Sequence, residues 1–199
     1  MTRWTLAALA VAAATAAIPA EAAAPKFYFQ MQPVKAGPEV DAALKTYAAE
    51  ALRTELASRP EWASDIGPAG KEAPGQDRAA LVAELKKRAL RGFDVTARIE
   101  KLKQDVKDPK PGARNRQLAV EVQLTVFGTT IPDAKLAFSG DGQSGSEAEV
   151  SEKHLAADTT EATNDVIKDA IKQAVDQAVL KLSIGKSGPM NEAHHHKKK

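Results

Sequence analysis

Few side chains in this sequence could carry catalytic chemistry, and the most reactive type, cysteine, does not occur in it. Of the four histidines, three stand side by side near the C-terminus, so His154 is the only one outside that tail. Histidine titrates nearest neutral pH and can act as a general base. His154, however, follows a charged Ser-Glu-Lys segment and has no companion nucleophile. We therefore expect an exposed histidine without a catalytic role.

Three serines, Ser139, Ser144 and Ser146, flank or interrupt a glycine-rich stretch over residues 139–146. A phosphate-binding loop would also need a Lys-Ser or Lys-Thr pair that opens a helix after a buried parallel strand, and the sequence has neither. The composition instead predicts the flexible end of a hairpin. No nucleophile is assigned here.

An aspartate within the same stretch, Asp141, lies between Gly140 and Gly142 and raises the question of calcium. A calcium-binding loop of the EF-hand type needs oxygen ligands at several alternating positions and a distal glutamate. Only fragments of that spacing are present. We assign no metal ligand and no cofactor-binding residue to this region.

The C-terminal tail is unusual in composition, because residues 194–199 read His-His-His-Lys-Lys-Lys. Adjacent histidines can bind transition metals weakly, and the lysines could contact an anionic surface. Ordering such a tail costs conformational entropy, which argues against a defined site. We predict a disordered tail over residues 186–199, and whether it binds a metal or an anionic surface stays open.

The N-terminus has the pattern of a secretory signal peptide. Arg3 precedes an apolar run over residues 6–18 that ends at Pro19, and Ala20-Glu21-Ala22 provides the small residues that signal peptidase recognises. The run is too short to cross a bilayer, which needs about 20 residues. We therefore predict cleavage after Ala22, no stable membrane anchor afterwards, and a periplasmic or secreted protein.

Composition limits the partners of the remaining chain. The full sequence has 28 Lys and Arg against 26 Asp and Glu, and cleavage keeps the net charge of +2 because Arg3 and Glu21 leave together. The three terminal lysines alone exceed that surplus. Nucleic acid binding normally needs a concentrated basic face, so we exclude it. Without cysteine no disulfide can form, and the hydrophobic core alone must stabilise the fold.

Apolar periodicity supplies the elements that would hold any site. Alternation predicts strands over residues 26–34, 93–99 and 118–126, and a last strand that starts at Leu136 and dissolves at residues 140–142. Helical periodicity predicts helices over residues 40–59, from Asp77 to a stop at Gly92, and from Thr163 or Asn164 to Gly185. Residues 61–67 fit either a short strand or a turn, residues 67–76 and 107–112 read as loops, and residues 131–133 as a turn.

Each predicted strand has one apolar face and each helix one apolar stripe, which favours two packed layers. We predict a single α+β domain over residues 23–185. In it a mostly antiparallel sheet has about three helices packed on one side, in the order β-α-(β)-α-β-β-β-α. The polar face of the central strands, which includes Thr96, Arg98, Glu121 and Thr125, is expected to hold cross-strand polar pairs.

This order of elements resembles the periplasmic α/β modules of two bacterial envelope families. They are the curli-secretion channel lipoproteins and the lipoprotein activators of penicillin-binding proteins. Phe93-Asp94-Val95 loosely matches the strand that carries an aspartate after an apolar residue in those families. The lipidated cysteine is absent here. The resemblance implies a role in binding or assembly rather than catalysis, although fold alone does not establish function.

These observations predict a non-catalytic periplasmic protein-interaction or envelope-assembly module with an envelope protein as partner. The alternative is a periplasmic protein that binds a small ligand or a metal, with a pocket between sheet and helices. Recognition is expected on the two polar loops, residues 67–76 and 107–112, since loops on a rigid scaffold often bind partners. No motif identifies the partner, the ligand or the oligomeric state.

Overall fold

The computed structural model describes residues 26–63, 66–67, 78–108 and 115–184. The predicted signal peptide, the tail and most of both predicted loops therefore lie outside the described residues. In chain order the elements are β1 (Phe27–Met31), β2 (Lys35–Ala36), α1 (Ala42–Ala57), α2 (Ala79–Lys87), β3 (Arg91–Lys107), β4 (Asn115–Thr130), β5 (Leu136–Ser151) and α3 (Leu155–Ile184).

The strands form one mixed sheet in the order β1-β3-β4-β5, and β2 also pairs with β3. β1 and β2 run parallel to β3, whereas β3, β4 and β5 form an antiparallel meander. The α+β class and the mostly antiparallel sheet are thus confirmed. The parallel pairs arise because α1 and α2 lie between β1 and β3 and carry the chain back to the start of the sheet.

The first strand ends at Met31, before its predicted end at Val34, and a separate short strand, β2, follows it. Pro33 stands between β1 and β2 and has no N–H to donate to a ladder. Residues 61–63 run along β1 and form only an isolated bridge from Trp62 to Phe27. Residues 61–63, for which the sequence left a strand and a turn open, therefore form a turn with a single bridge.

Helix α1 covers one face of the sheet through the predicted stripe. Ala48, Leu52 and Leu56 are buried. The helix begins later than predicted, because the side chain of Asp41 accepts a hydrogen bond from the N–H of Leu44 and caps it. Such a cap satisfies one of the N–H groups that have no partner within the helix.

Helix α2 packs on the opposite face of the sheet, so the expectation of all helices on one side is wrong for this element. Leu81 and Leu85 cluster with Tyr28, whereas the neighbouring Phe27 and Phe29 point into the core beneath α1 and α3. Alternation along β1 places Tyr28 on the other side. The sheet therefore has a second, small apolar cluster on its back.

Helix α2 also ends earlier than Gly92, the predicted stop. Its last residue is Lys87, and Ala89 adopts a left-handed conformation. Gly92 instead belongs to β3, where a Cβ would lie 2.5 Å from Cδ1 of Leu85. The glycine thus permits close packing of α2 on the strand rather than ending the helix.

All strands of the meander are longer than their apolar alternation predicted. β3 extends eight residues beyond Ile99, to Lys107, with mostly exposed side chains. β5 continues through the glycine-rich stretch to Ser151, so the predicted flexible hairpin end over residues 140–146 is wrong. Both extensions are strands because their backbones pair with β4. A hydrophobic pattern does not reveal such pairing.

Helix α3 explains the glycines of β5. A Cβ on Gly140 would lie 1.9 Å from the carbonyl oxygen of Ala174, and one on Gly142 would lie 1.9 Å from that of Ala170. Alanine on the helix and glycine on the strand let the two backbones approach closely. Ile167, Ile171 and Val175 of the same helix are buried against the large side chains of β3 and β4.

Helix α3 starts at Leu155 and not at Thr163 or Asn164. Threonines in its first turns bond back along the helix instead of capping it. The hydroxyl of Thr159 donates to the carbonyl of Leu155, and that of Thr163 donates to the carbonyl of Thr159. Apart from Leu155, the apolar residues of α3 that pack on the core begin at Ala162, which is why periodicity placed the start too late.

Candidate functional site

The face of the meander opposite α1 and α3 presents the polar side chains of its strands. Val122 and Leu124 are buried beneath α3, so the intervening Glu121, Gln123 and Thr125 point the other way. Among the described helices only α2 lies on this side, at one end of the sheet. We call the polar surface of β3, β4 and β5 the open face.

Cross-strand polar pairs on the open face are present as predicted. Lys101 Nζ lies 3.0 Å from a carboxylate oxygen of Glu121, and the hydroxyl of Thr125 donates to Asp141 at 2.9 Å. The hydrogen bond from Lys101 lowers the pKa of Glu121 below its ordinary value. Thr96 departs from the prediction, because it is buried.

At the end of the sheet nearest α2, Asp94 is the centre of a partly buried polar network. The Arg78 guanidinium binds both Asp94 carboxylate oxygens, at 2.6 and 2.8 Å. Gln32 donates to Asp94 at 2.8 Å, and Arg78 also donates to Gln30 at 3.0 Å. This two-pronged geometry is the strongest type of side-chain ion pair. The network fixes the start of α2 against β1 and β3.

The charges of this network act on the neighbouring side chains. The hydrogen bond to Asp94 raises the pKa of Arg78 further, so the guanidinium stays charged. Burial raises the pKa of Tyr28, and the negative charge of Asp94 adds to that effect. The charges of Arg78 and Asp94 compensate each other, so the role of the network is to hold α2 against β1 and β3.

Beside this network a cleft of about 630 Å³ opens on the same face of the sheet. Its floor includes Phe127, which pairs across strands with Thr96, and its walls come from the β1–β2 segment and from Arg78. Two cations approach the Phe127 ring. Lys35 Nζ lies 5.9 Å and the Arg98 guanidinium carbon 5.5 Å from its centroid. An aromatic ring flanked by cations is a typical anchor in protein interfaces.

The side chains that the sequence singled out for chemistry do not come together. His154 is exposed, in the turn before α3. Asp141 accepts the Thr125 bond within β5. Ser139, Ser144 and Ser146 lie along the same strand rather than in a loop. Within the described ranges no group of three or more His, Cys, Asp and Glu side chains is placed to hold a metal ion.

Sequence reasoning missed the residues of the cleft. Phe127 has the same parity as the polar positions 121, 123 and 125 of β4, so an aromatic ring on the wet face was visible in the alternation. No pattern in the sequence indicated that Arg78 or Lys35 belongs to the cleft. They meet Asp94 and Phe127 only because the sheet brings β2 and the start of α2 beside β3.

The two predicted recognition loops and the His/Lys tail fall almost entirely outside the described residues. Gly67 and Arg78 border the first loop, and Lys107 and Asp108 begin the second. In the described part of the chain, no helix is both long enough and apolar enough to span a membrane. Export, cleavage at Ala22 and the periplasmic location stay predictions.

Comparison with known proteins identifies the fold but no family. No protein-family model matches the sequence, and no curated protein matches it significantly. Among solved structures, a Xanthomonas campestris protein of the family DUF330 shares 7% identity with a TM-score of 0.51, over 82% of this chain and 88% of that one.

Two further structures are less similar. A Caulobacter crescentus protein described provisionally as a lipoprotein shares 10% identity (TM-score 0.43, 81% of this chain and 93% of that one). A minor lipoprotein from Acinetobacter baumannii shares 8% (TM-score 0.38, 83% and 100%). Neither family that the sequence resembles is confirmed. The chain is therefore similar in fold to the Xanthomonas protein, and this similarity carries no activity with it.

Proposed function

We propose that the chain is a non-catalytic protein-interaction module of the bacterial cell envelope that binds its partner on the open face. The observation that carries this proposal is the cleft around Phe127, where an aromatic ring and two cations are accessible on a rigid sheet. The sequence analysis favoured the two polar loops for recognition, whereas this proposal assigns recognition to the sheet.

The position of the cleft supports binding over catalysis. Its polar groups, Arg78 and Asp94, are bound to each other and hold α2 in place. Lys35 and Arg98 stand over a ring that offers no reactive atom. A large aromatic surface beside positive charge suits an acidic or aromatic side chain of a protein partner.

The envelope location rests on the predicted signal peptide, and the assembly role on the stated resemblance. The alternative, a protein that binds a small ligand or a metal, stays a prediction. Its accessory tail lies outside the described residues, and no described observation favours it.

Affinity capture tests the proposal. The exported protein is used to capture partners from the envelope fraction of its own organism, in parallel with Phe127→Ala and Leu136→Ala. Leu136 is also an exposed apolar residue, at 67% exposure, but does not line the cleft. We expect Phe127→Ala to reduce partner recovery by about tenfold or more, as for the loss of an interface anchor.

Leu136→Ala should recover as much partner as the unchanged protein. Far-UV circular dichroism establishes that both variants are folded. Equal recovery by all three proteins, or no specific partner with any of them, would contradict a binding role for the open face.

A further inference from the structure

The outer edge of β5 is half covered by side chains of α3. Gln177 accepts a hydrogen bond from the backbone N–H of Asp141 at 3.2 Å, and Gln173 accepts one from that of Gln143 at 3.5 Å. Lys181 Nζ donates to the carbonyl of Ser139 at 2.6 Å. These contacts occupy backbone groups that another strand would otherwise pair with.

The cover ends after Gln143 because α3 crosses the sheet diagonally. Its C-terminal half lies over β5, where Ala174 contacts Gly140. Its N-terminal half lies toward β3, where Gln104 donates to the hydroxyl of Thr163 at 2.8 Å. Side chains of α3 therefore do not cover the second half of the β5 edge.

The register of β4 and β5 runs without a shift from Gly128 to the end of β5. Backbone groups in an edge strand point outward at every second residue. Asp141 and Gln143 point outward, since their N–H groups meet α3, and so Gly145, Glu147 and Glu149 do as well. No other described residue forms a hydrogen bond with the backbone N–H groups of those three.

The side chains of this uncovered edge carry one sign of charge. Glu147 and Glu149 are exposed and form no ion pair with a described residue. The edge therefore combines a row of outward backbone groups with two carboxylates that form no ion pair with a described residue.

We propose that the outer edge of β5 over residues 145–149 accepts an extended basic segment of a protein partner as an additional strand. Main-chain hydrogen bonds would supply the affinity, and Glu147 and Glu149 the preference for basic side chains. This inference rests on the proposed protein-binding function and adds a second surface to it.

A second copy of the chain fits this edge less well. Pairing of two β5 edges around a twofold axis would place glutamates opposite glutamates, which is unfavourable. Beyond Ile99, β3 pairs with neither β1 nor β2, and this part of β3 is a weaker complement than a basic segment. Lys101 is paired with Glu121 and Lys103 with Asp105, which leaves only Lys107 of its three lysines without an ion pair to a described residue.

Amide hydrogen exchange measured by NMR on the full chain tests the proposal. The probe is a peptide of about eight residues that alternates lysine and valine, long enough for one strand. We expect exchange at Gly145, Glu147 and Glu149 to slow by about tenfold or more when the peptide saturates the protein. Exchange at Asp141 and Gln143 should not change.

Two variants separate backbone pairing from charge. Glu147→Pro removes an outward N–H and leaves the ladder to β4 intact, since proline is tolerated on edge strands. It should weaken peptide binding by about tenfold or more, whereas Glu147→Gln, which keeps the N–H, should weaken it by only about threefold. A peptide N-methylated on the side that faces β5 should not bind the unchanged protein, which keeps the test valid should Glu147→Pro unfold.

Three results would overturn the proposal. They are unchanged exchange at residues 145–149, equal binding of an alternating glutamate–valine peptide, or protection that grows with protein concentration without peptide, which would identify a second copy as occupant. A failure here combined with successful capture through Phe127 would reject only the edge, and the open face would stand.

Discussion

At the scale of single residues, the glycines of β5 matter more for the packing of the molecule than any reactive side chain does. Gly140 and Gly142 sit within a strand, where glycine normally weakens pairing. Here the lack of a Cβ is required, because the carbonyl oxygens of α3 occupy that space. A composition typical of a flexible loop thus belongs to the most closely packed helix–strand contact described.

This contact predicts a large difference between two glycine-to-alanine changes in one strand. In Gly142→Ala the new Cβ would lie 1.9 Å from the Ala170 carbonyl oxygen, so α3 must move. In Gly145→Ala the nearest atom is 3.3 Å away. We expect losses in unfolding free energy of about 3 kcal/mol or more and about 1 kcal/mol or less, respectively. Urea denaturation measures both, and similar midpoints would contradict the packing.

The Lys101–Glu121 pair predicts a change in titration. Since Lys101 lowers the pKa of Glu121, the pair stabilises the fold fully above the unfolded-state pKa of Glu121. That stabilisation is lost as the pH falls through the lower folded-state pKa. Lys101→Met should raise the Glu121 pKa toward its ordinary value, as measured by carbon-13 NMR of the carboxyl group.

Lys135→Met, which removes an exposed lysine from the turn before β5, serves as the control for that titration and should leave the Glu121 pKa unchanged. An unaltered Glu121 titration in Lys101→Met would show that the two side chains do not interact in solution.

At the scale of elements, α3 organises the molecule. It covers β4 and β5 with its apolar stripe and occupies part of the sheet edge. Its Asp176 also forms an ion pair with Arg59, which lies just after the end of α1. Its stripe was evident in the sequence. The diagonal course of α3 across the sheet was not evident there, because it depends on where small residues let the helix approach the strands closely.

The stripe of α3 predicts that a charge on its inner face is not tolerated. Ile171 is 1% exposed and Lys172, the next residue, is exposed. Ile171→Asp should lower the unfolding free energy by about 4 kcal/mol or more, from lost burial and an unpaired buried charge. Lys172→Asp should cost less than about 1 kcal/mol. Thermal unfolding compares them, and equal melting temperatures would contradict this packing.

At the scale of the whole molecule, the described helices cover both faces of the sheet near β1 and one face along the meander. The cluster around Tyr28 and Leu81 on one side and the main core on the other share the same strand. We therefore expect the two clusters to unfold together. Among the described helices only α2 lies on the side of the open face, and it does not extend along the meander.

Leu81→Ala tests this cooperativity. Leu81 is fully buried in the small cluster, and its truncation should cost about 3 kcal/mol. Trp62 packs on the opposite side, against the main core. After the predicted cleavage at Ala22, Trp62 is the only tryptophan, and its fluorescence should report the same shift in midpoint as far-UV circular dichroism. A shift seen by only one probe would mean that the clusters unfold independently.

The sequence alone predicted what depends on local pattern. Period-two alternation indicated β1, the first half of β3 and the central part of β4, and 3.6-residue periodicity indicated the stripes of α1, α2 and α3. Together these were sufficient for the α+β class. Hydrophobic burial produces these patterns directly, and so they can be read without knowledge of neighbours.

Tertiary structure decided what depends on contacts between distant residues. The polar extension of β3 and the glycine-rich half of β5 are strands because β4 pairs with them, and pairing leaves no apolar periodicity. Helix α2 lies on the back of the sheet because Tyr28 faces it there. The cleft of Phe127, Lys35 and Arg98 exists only because β2 and β4 flank β3, since a site built from separate elements has no motif in the chain.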